Sequence, residues 1–375
     1  MLTVAVVLGT RPEAVKLCSV VSILRKNSLD YCVTTIATGQ HRDAFDVTAT
    51  ALNLPIDINL GLQRQGQSLG ALSAALLQSL DEHFARLKPG LVIVQGDTQT
   101  AVMAALAAST RRIPVAHVEA GLRSGNPGSP YPEEANRRII AIAADIHFAP
   151  TARARDNLLA EGIDPDRIVV TGNTVIDSLQ KFAPKSRPTT NLKNRRKILV
   201  TCHRRESWGD GVERICDALT TISGAMRGLD ILFILPLAPD VRASITSRLA
   251  LVEGITLTEP MPYPDFLARM AESDLVMTDS GGVQEEAPTF GVPTVLLRAE
   301  CDRPEALDGK RSVMAGTDRD NIVSIALRLL EQGRDSTMAC SPYGDGCAAE
   351  RIAAALSRWR QGFLPLLSTA DCFAG

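Results

Sequence analysis

Apolar residues gather in short unbroken runs at Leu2–Leu8, Leu91–Gln95, Val115–Val118 and Ile168–Val170, and each run closes on a polar or glycine-containing step. Such runs predict strands buried on both faces, as in parallel sheets covered by helices. After the first run, Thr10–Arg11–Pro12–Glu13 supplies an N-cap, a proline in the first turn and a glutamate three residues beyond the cap. A helix starts there. Helical spacing recurs over Ala44–Leu52 and Ser68–Leu87, separated by Pro55 and the Gln/Gly-rich Gly61–Gly70, and again over Glu133–Ala144 and Ala152–Glu161. A second series of strands, Lys197–Cys202, Ile231–Leu235, Leu275–Thr278 and Thr294–Leu297, is separated by helical intervals, and Ala348–Arg360 reads as a terminal helix. The fold class expected is α/β: two Rossmann-like domains with parallel sheets around a central cleft, residues 1–174 and 175–347. The linker falls within Val175–Arg196, where Ala183–Thr190 is polar and proline-containing, and the stretch from Ser336 to Gly346 reads as a loop.

Length and charge narrow the functions open to such a chain. The 375 residues suffice for two cores, and 40 Lys plus Arg against 42 Asp plus Glu leave a formal charge of −2. No nucleic acid or anionic membrane is implied. The eight cysteines, at 18, 32, 202, 216, 301, 340, 347 and 372, form no CxxC pair, which suits a reducing cytoplasm. Met1–Leu8 lacks the basic flank of a signal peptide and reads as a strand, and no window is long and apolar enough for a membrane span.

The unusual polar residues fall at strand ends. Asp279–Ser280–Gly281–Gly282 follows the strand Leu275–Thr278 and opens a helix, so two glycines and unpaired N–H groups offer a phosphate seat. Glu286, four residues beyond Gly282, could accept from sugar hydroxyls; the structural alternative is a tight turn with Asp279 or Ser280 as N-cap. Arg11 and Lys16 open the first helix, either as phosphate ligands or as solvated cations. Asp97 is a candidate acid or an N-cap, and Glu133 is a candidate acid or a first-turn complement to the helix dipole. Glu119 ends the buried run Val115–Val118, where a carboxyl must be paired or neutral, so a functional role leads. His203, beside Arg204 and Arg205, could meet a diphosphate or protonate a leaving oxygen, or simply be a hydrogen-bonded loop residue. Of Arg298 and Arg303, one is expected to be structural. The five histidines lack metal-ligand spacing, and Asp164–Pro165–Asp166 reads as a turn, so neither a metal nor any other cofactor is expected.

Read together, Gly9–Leu17, Thr38–Arg42, Gly96–Thr98 and His117–Arg123 resemble the non-hydrolysing UDP-N-acetylglucosamine 2-epimerases. Pro132–Arg137, Val170–Asp177, His203–Glu206, Asp279–Gly291 and Arg303–Glu305 continue the resemblance in the family's order. It implies a glycosyltransferase-B type fold whose last helix, about 348–375, packs back on the first domain. It also implies a cytoplasmic homodimer supplying polysaccharide precursors and acting on a UDP-sugar with no cofactor. By the same resemblance Asp97, Glu119 and Glu133 are the acid–base carboxylates, and His203, helped by Arg11, stabilises the leaving diphosphate. Ser280, Gly281 and Gly282 would hold phosphate, Glu286 the ribose and Phe266 the uracil surroundings, while Lys16 and Arg303 would reach the sugar or diphosphate. One departure stands out. Where bacterial members carry a histidine that helps bind a second, activating UDP-N-acetylglucosamine, this chain has Pro236–Leu237–Ala238–Pro239–Asp240, so an epimerase without that activation is expected. The competing activities are 2-epimerisation of a UDP-2,3-diacetamido-uronic acid, a hydrolysing epimerase and a UDP-sugar glycosyltransferase. A nucleotide-sugar-binding protein without catalysis fits less well, since binding alone gains nothing from three acids.

Overall fold

The computed structural model describes residues 1–374 except 41, 65, 185–194, 205–207, 309–311 and 335–340, and the side chains of residues 42–44 are also left undescribed. Most of the expected linker, Arg205 and Glu206 of the His203 motif, and part of the loop from Ser336 lie outside the described residues. The chain divides into two compact units, Met1–Lys181 with Tyr343–Gly375, and Phe182–Pro342.

The first unit alternates strand and helix: β1 (Leu2–Leu8), α1 (Arg11–Lys26), β2 (Tyr31–Ala37), α2 (Arg42–Ala51), β3 (Ile58–Asn59), α3 (Leu69–Leu87), β4 (Leu91–Gln95), α4 (Gln99–Thr110), β5 (Val115–Val118), α5 (Glu133–Ala143), β6 (Ile146–Ala149), α6 (Ala152–Ala160), β7 (Ile168–Val170) and α7 (Thr174–Phe182). The strands form one parallel sheet in the order β3-β2-β1-β4-β5-β6-β7, with Val4 opposite Val33 on one side and Leu91 on the other. Every residue of β4 and β5 is buried, which is why those strands are continuously apolar rather than alternating. β2, β3 and β6 were not singled out from sequence; β2 carries the polar pair Thr34–Thr35, and β3 has only two residues. Helix starts are capped as their sequences demand: the Ser68, Thr98 and Thr151 hydroxyls accept from Ala71, Ala101 and Ala154. Asp164–Asp166 is a turn, with the Asp164 carboxylate capping a 3-10 segment through the Asp166 N–H.

The second unit contains β8 (Arg196–Thr201), α8 (Asp210–Ala225), β9 (Leu229–Ile234), α9 (Pro239–Leu249), β10 (Ile255–Thr258), α10 (Tyr263–Glu272), β11 (Leu275–Thr278), α11 (Gly281–Glu286), β12 (Thr294–Leu296), α12 (Glu305–Asp308), β13 (Ser312–Met314) and α13 (Arg319–Gln332). Its parallel sheet runs β10-β9-β8-β11-β12-β13. One face of β8, β9 and β11 packs Ile198, Val200, Phe233 and Met277 against Ile215, Leu219 and Ile222 of α8 and Ile322 and Ala326 of α13.

The last helix, α14 (Ala348–Arg360), returns to the first unit and packs on α1. This explains why α1 is buried at every position from Glu13 to Val21: the sheet covers one side, and α2 and α14 cover others. Arg360 anchors the far end of α14 on Asp30, through the carbonyl at 3.0 Å and the carboxylate at 2.9 Å. The N-terminus of α14 has no cap of its own. Asp177 of α7 accepts instead from Ala348 N–H at 3.3 Å and Ala349 N–H at 2.8 Å. The first unit accordingly runs through Lys181, beyond the expected boundary at 174, because α7 is tied to it at both faces: Ser178 Oγ also donates to the Val15 carbonyl at 2.5 Å. Asp177→Ala should therefore loosen α14 by about 1–3 kcal/mol. Hydrogen exchange will show it as faster exchange confined to α14, with a smaller loss in Asp177→Asn, which keeps one acceptor.

Candidate active site

In the first unit the chain order reverses between β1 and β4, and ligands of open α/β sheets bind at the carboxyl ends of strands beside such a reversal. Glu13 joins these two strand ends. Its Oε2 accepts from Gly9 N–H at 2.8 Å, Thr10 N–H at 2.7 Å and Thr10 Oγ1 at 2.9 Å, while Oε1 accepts from Thr98 Oγ1 at 2.7 Å. The sequence showed only a capping-box glutamate; the structure adds a fully buried brace between the Thr10–Arg11 and Asp97–Thr98 turns.

Glu119 follows β5 and is also buried. Its Oε1 meets Lys16 Nζ at 2.5 Å and Asn173 Nδ2 at 3.0 Å, and its Oε2 accepts from Gln95 Nε2. The expected pairing of a buried carboxylate is thus met by a cation and two amides. Lys16, only 4% exposed, is not a solvated helix cation. A buried ion pair returns little net stability, because desolvation opposes attraction. Glu119 also has φ +66, a left-handed conformation that costs a non-glycine residue about 1–3 kcal/mol. Glycine would relieve that strain, so retention of a glutamate here points to its side chain.

Asp97 follows β4 at the neighbouring strand end. Thr98, not Asp97, caps α4; the Asp97 carboxylate is taken by Arg137 of α5, from Nε at 2.8 Å and Nη2 at 2.6 Å. Asn136 Nδ2 donates to the Asp97 carbonyl at 2.9 Å. Next door, the ring of His117 is buried, and burial lowers its pKa to about 4, so it is neutral. Its Nε2 lies 2.7 Å from the Gly96 carbonyl, which can only accept, so Nε2 carries the proton. Gly96, at φ +70, turns the chain beside Glu119: a Cβ there would stand 3.5 Å from Glu119 Oε2. Glu133 is half-buried in the first turn of α5, where it complements the dipole whatever else it does. Arg11, on the first residue of α1, is also half-buried.

The second unit repeats this logic at its own reversal, between β8 and β11. Asp279 follows β11 and is fully buried, yet neither it nor Ser280 gives α11 a side-chain cap. Its carboxylate reaches the end of β8, accepting from His203 N–H at 2.9 Å and Arg204 N–H at 2.8 Å. The same carboxylate lies 3.3 Å from His203 Nδ1, while the imidazole itself is exposed. Gly281 begins α11 under the Arg303 guanidinium, and a Cβ there would stand 2.6 Å from Nη1. Arg303 is held by Glu285 at 2.6 Å and Asp302 at 2.6 Å; Arg298 pairs with Asp302 at 2.5 Å, and both arginines are buried. Glu286 Oε1 accepts from Tyr263 Oη at 2.8 Å, and Phe266 lies buried one turn along α10 from that tyrosine. Ser280 and Gly282 are partly accessible beside Gly281. No group of three His, Cys, Asp or Glu among the described residues could hold a metal ion, and no described helix is long and apolar enough to cross a membrane.

Sequence reading missed Gln95, Arg137, Asn173 and Asp279 as partners of the candidate acids and of His203. Each does sit at a strand end or inside a motif that drew attention, but its partner is far away in sequence. Comparison with known proteins places the chain as a whole. A family model described as UDP-N-acetylglucosamine 2-epimerase matches residues 23–357. The chain is 42% identical to the UDP-N-acetylglucosamine 2-epimerase of Salmonella typhimurium over 376 residues, covering 95% of this chain and 99% of that protein. It is similar to the crystal structure of UDP-GlcNAc 2-epimerase from Neisseria meningitidis bound to UDP-GlcNAc, with a TM-score of 0.87 and 35% identity over 95% of this chain and 100% of the other. For the Methanocaldococcus jannaschii UDP-GlcNAc 2-epimerase in complex with UDP-GlcNAc and UDP, the TM-score is 0.85 and the identity 31%, over 95% and 99% of the two chains.

Burial drives the Glu13 carboxyl from 4.5 to about 7, against the opposing hydrogen bonds from Thr98, Gly9 and Thr10. Because the folded value is the higher, the associated stability is complete below pH 4.5 and is lost as pH rises through 7. Glu13→Gln cannot titrate. Unfolding measured across this range should show the native protein losing about 3 kcal/mol relative to Glu13→Gln; a difference independent of pH would count against the assignment.

Proposed function

The chain belongs to the UDP-N-acetylglucosamine 2-epimerase family, and from that premise we propose that it interconverts UDP-N-acetylglucosamine and UDP-N-acetylmannosamine by elimination and re-addition of UDP. The C2 proton of the sugar is not adjacent to a carbonyl, so its removal alone would leave an unstabilised carbanion. Breaking the C2–H and C1–O bonds together forms a C1=C2 double bond, transfers the proton to a carboxylate and releases UDP with the bonding pair. UDP then adds back at C1 while a proton reaches the opposite face of C2. Both reactions need acids on opposite faces and a cationic seat for UDP.

The observation that carries this reading is the pair of ion-paired carboxylates on adjacent strand ends, Asp97 on Arg137 and Glu119 on Lys16. In a partly or wholly buried setting, these cations fix where each carboxylate points. Asp97, Glu119 and Glu133 provide the acid–base chemistry, with the assignment of each to a face left to experiment. Lys16 serves the sugar side as the counterion of Glu119. His203, oriented by Asp279 and helped by Arg11, receives the leaving diphosphate. Ser280, Gly281 and Gly282 hold phosphate, with Arg303 close by, Glu286 takes the ribose and Phe266 lines the uracil. The enzyme works as a homodimer, without activation by UDP-N-acetylglucosamine, since Pro236–Asp240 contains no histidine.

Incubation with UDP-N-acetylglucosamine in deuterated water should give UDP-N-acetylmannosamine carrying deuterium at C2. Free N-acetylmannosamine plus UDP would replace this reading by hydrolysis, and no exchange would remove it. With pure UDP-N-acetylmannosamine the rate should be hyperbolic in substrate; an absolute need for added UDP-N-acetylglucosamine would refute the absence of activation. Gly281→Ala should displace Arg303 and weaken UDP binding on the order of tenfold in calorimetry, the size of one charged hydrogen bond.

A further inference from the structure

Asn173 stands immediately before α7 and is 2% exposed. The two ends of its amide are distinguished by their partners. Glu119 Oε1, 3.0 Å away, needs a donor, and the Val175 N–H, 3.2 Å away, needs an acceptor, so Nδ2 faces the carboxylate and Oδ1 the backbone. The Asn173 main chain is fixed in turn by the returning C-terminal segment. Its N–H donates to the Tyr343 carbonyl at 2.6 Å, and Tyr343 is fully buried. Gly344 then lies flat against it: a Cβ there would stand 3.3 Å from Asn173 N, 3.4 Å from Asn173 O and 3.2 Å from Ile176 Cγ1. On the other side, a Cβ on Gly172, at φ +81, would meet Gly344 Cα at 3.2 Å. Two glycines therefore let the backbones of residues 172–173 and 343–344 touch.

We propose that Asn173 is a positioning residue that aims the Glu119 carboxylate, and that Tyr343 and Gly344 set Asn173 in place from the C-terminal end of the chain. The inference rests on reading Glu119 as an acid–base group. Of its donors, Lys16 and Gln95 reach from the ends of α1 and β4, whereas Asn173 alone of the three comes from the β7 edge of the site. Asn173 shares Oε1 with Lys16 while Gln95 holds Oε2, so losing Asn173 removes the pull on the carboxylate toward β7 and shifts its balance toward Lys16 and Gln95. A displacement of about 1 Å at a reacting group can cost about a hundredfold in rate.

Asn173→Asp separates the two duties of this side chain. Its Oδ1 still accepts from Val175 N–H, but the donor 3.0 Å from Glu119 becomes a carboxyl oxygen that repels it. The expected result is a fall in kcat of about tenfold to a hundredfold per folded molecule, with KM within about twofold. Gly344→Ala, which never touches Glu119, should lower kcat in the same sense by a smaller factor. Native kcat in Asn173→Asp, or loss of kcat only in proportion to loss of folded protein, would overturn the proposal. Glu119→Gln run alongside tests the underlying reading separately. If it keeps C2 deuterium exchange, the acid–base assignment falls; if it loses exchange while Asn173→Asp turns over normally, only the positioning inference falls.

Discussion

A carboxylate taken out of water must be met by donors or become neutral, and the first unit is arranged around meeting that demand at Glu119. The donors come from α1, β4 and the turn after β7, so three parts of the chain have to arrive together before the charge is tolerated. The ion pair with Lys16 adds little net stability of its own, since the cost of burying both charges offsets their attraction. What it supplies is direction. The left-handed backbone at Glu119 is a second cost carried at the same residue, and both are repaid only if that carboxylate has chemistry to perform.

The two units use one device at corresponding places. Where each parallel sheet reverses order, a fully buried acid holds N–H groups at a strand end beside the reversal: Glu13 of α1 for Gly9 and Thr10, Asp279 after β11 for His203 and Arg204. Glu13 extends the brace to Thr98 across the reversal, and Asp279 spans it directly from β11 to β8. Main-chain N–H groups at these turns would otherwise lack partners, and anchoring them also fixes the residues that follow, Arg11 in one unit and the His203 ring in the other. Groups preorganised in this way need not reorganise as charge develops at a site.

Membership of the UDP-N-acetylglucosamine 2-epimerase family also makes sense of the glycines. Gly281 leaves room for the Arg303 guanidinium, whose charge is already shared with Glu285 and Asp302, so the arginine is oriented before any ligand arrives. Gly172 and Gly344 instead let two stretches of main chain meet. The first pair of contacts serves a candidate ligand seat, while the second transmits the path of the C-terminal segment to Asn173.

The sequence by itself determined the α/β class, the positions of the inner strands and the strand-end location of Asp97, Glu119, His203 and Ser280–Gly282. Buried parallel strands must be continuously apolar, and their closing turns must be polar or glycine, so these features are local and legible. The short edge strand β3 escaped notice because two residues carry no pattern. Only the tertiary structure decided which cation or amide serves which acid. Arg137 lies 40 residues from Asp97, Lys16 lies 103 from Glu119, and His203 lies 76 from Asp279. Those pairings are set by the order of the strands in each sheet, which leaves no periodicity in the chain. The same reason explains why the sequence left Lys16 between phosphate ligand and solvated cation and Asp97 between acid and cap: the local sequence of each is satisfied either way, and only the partner brought in from a distant part of the chain distinguishes them.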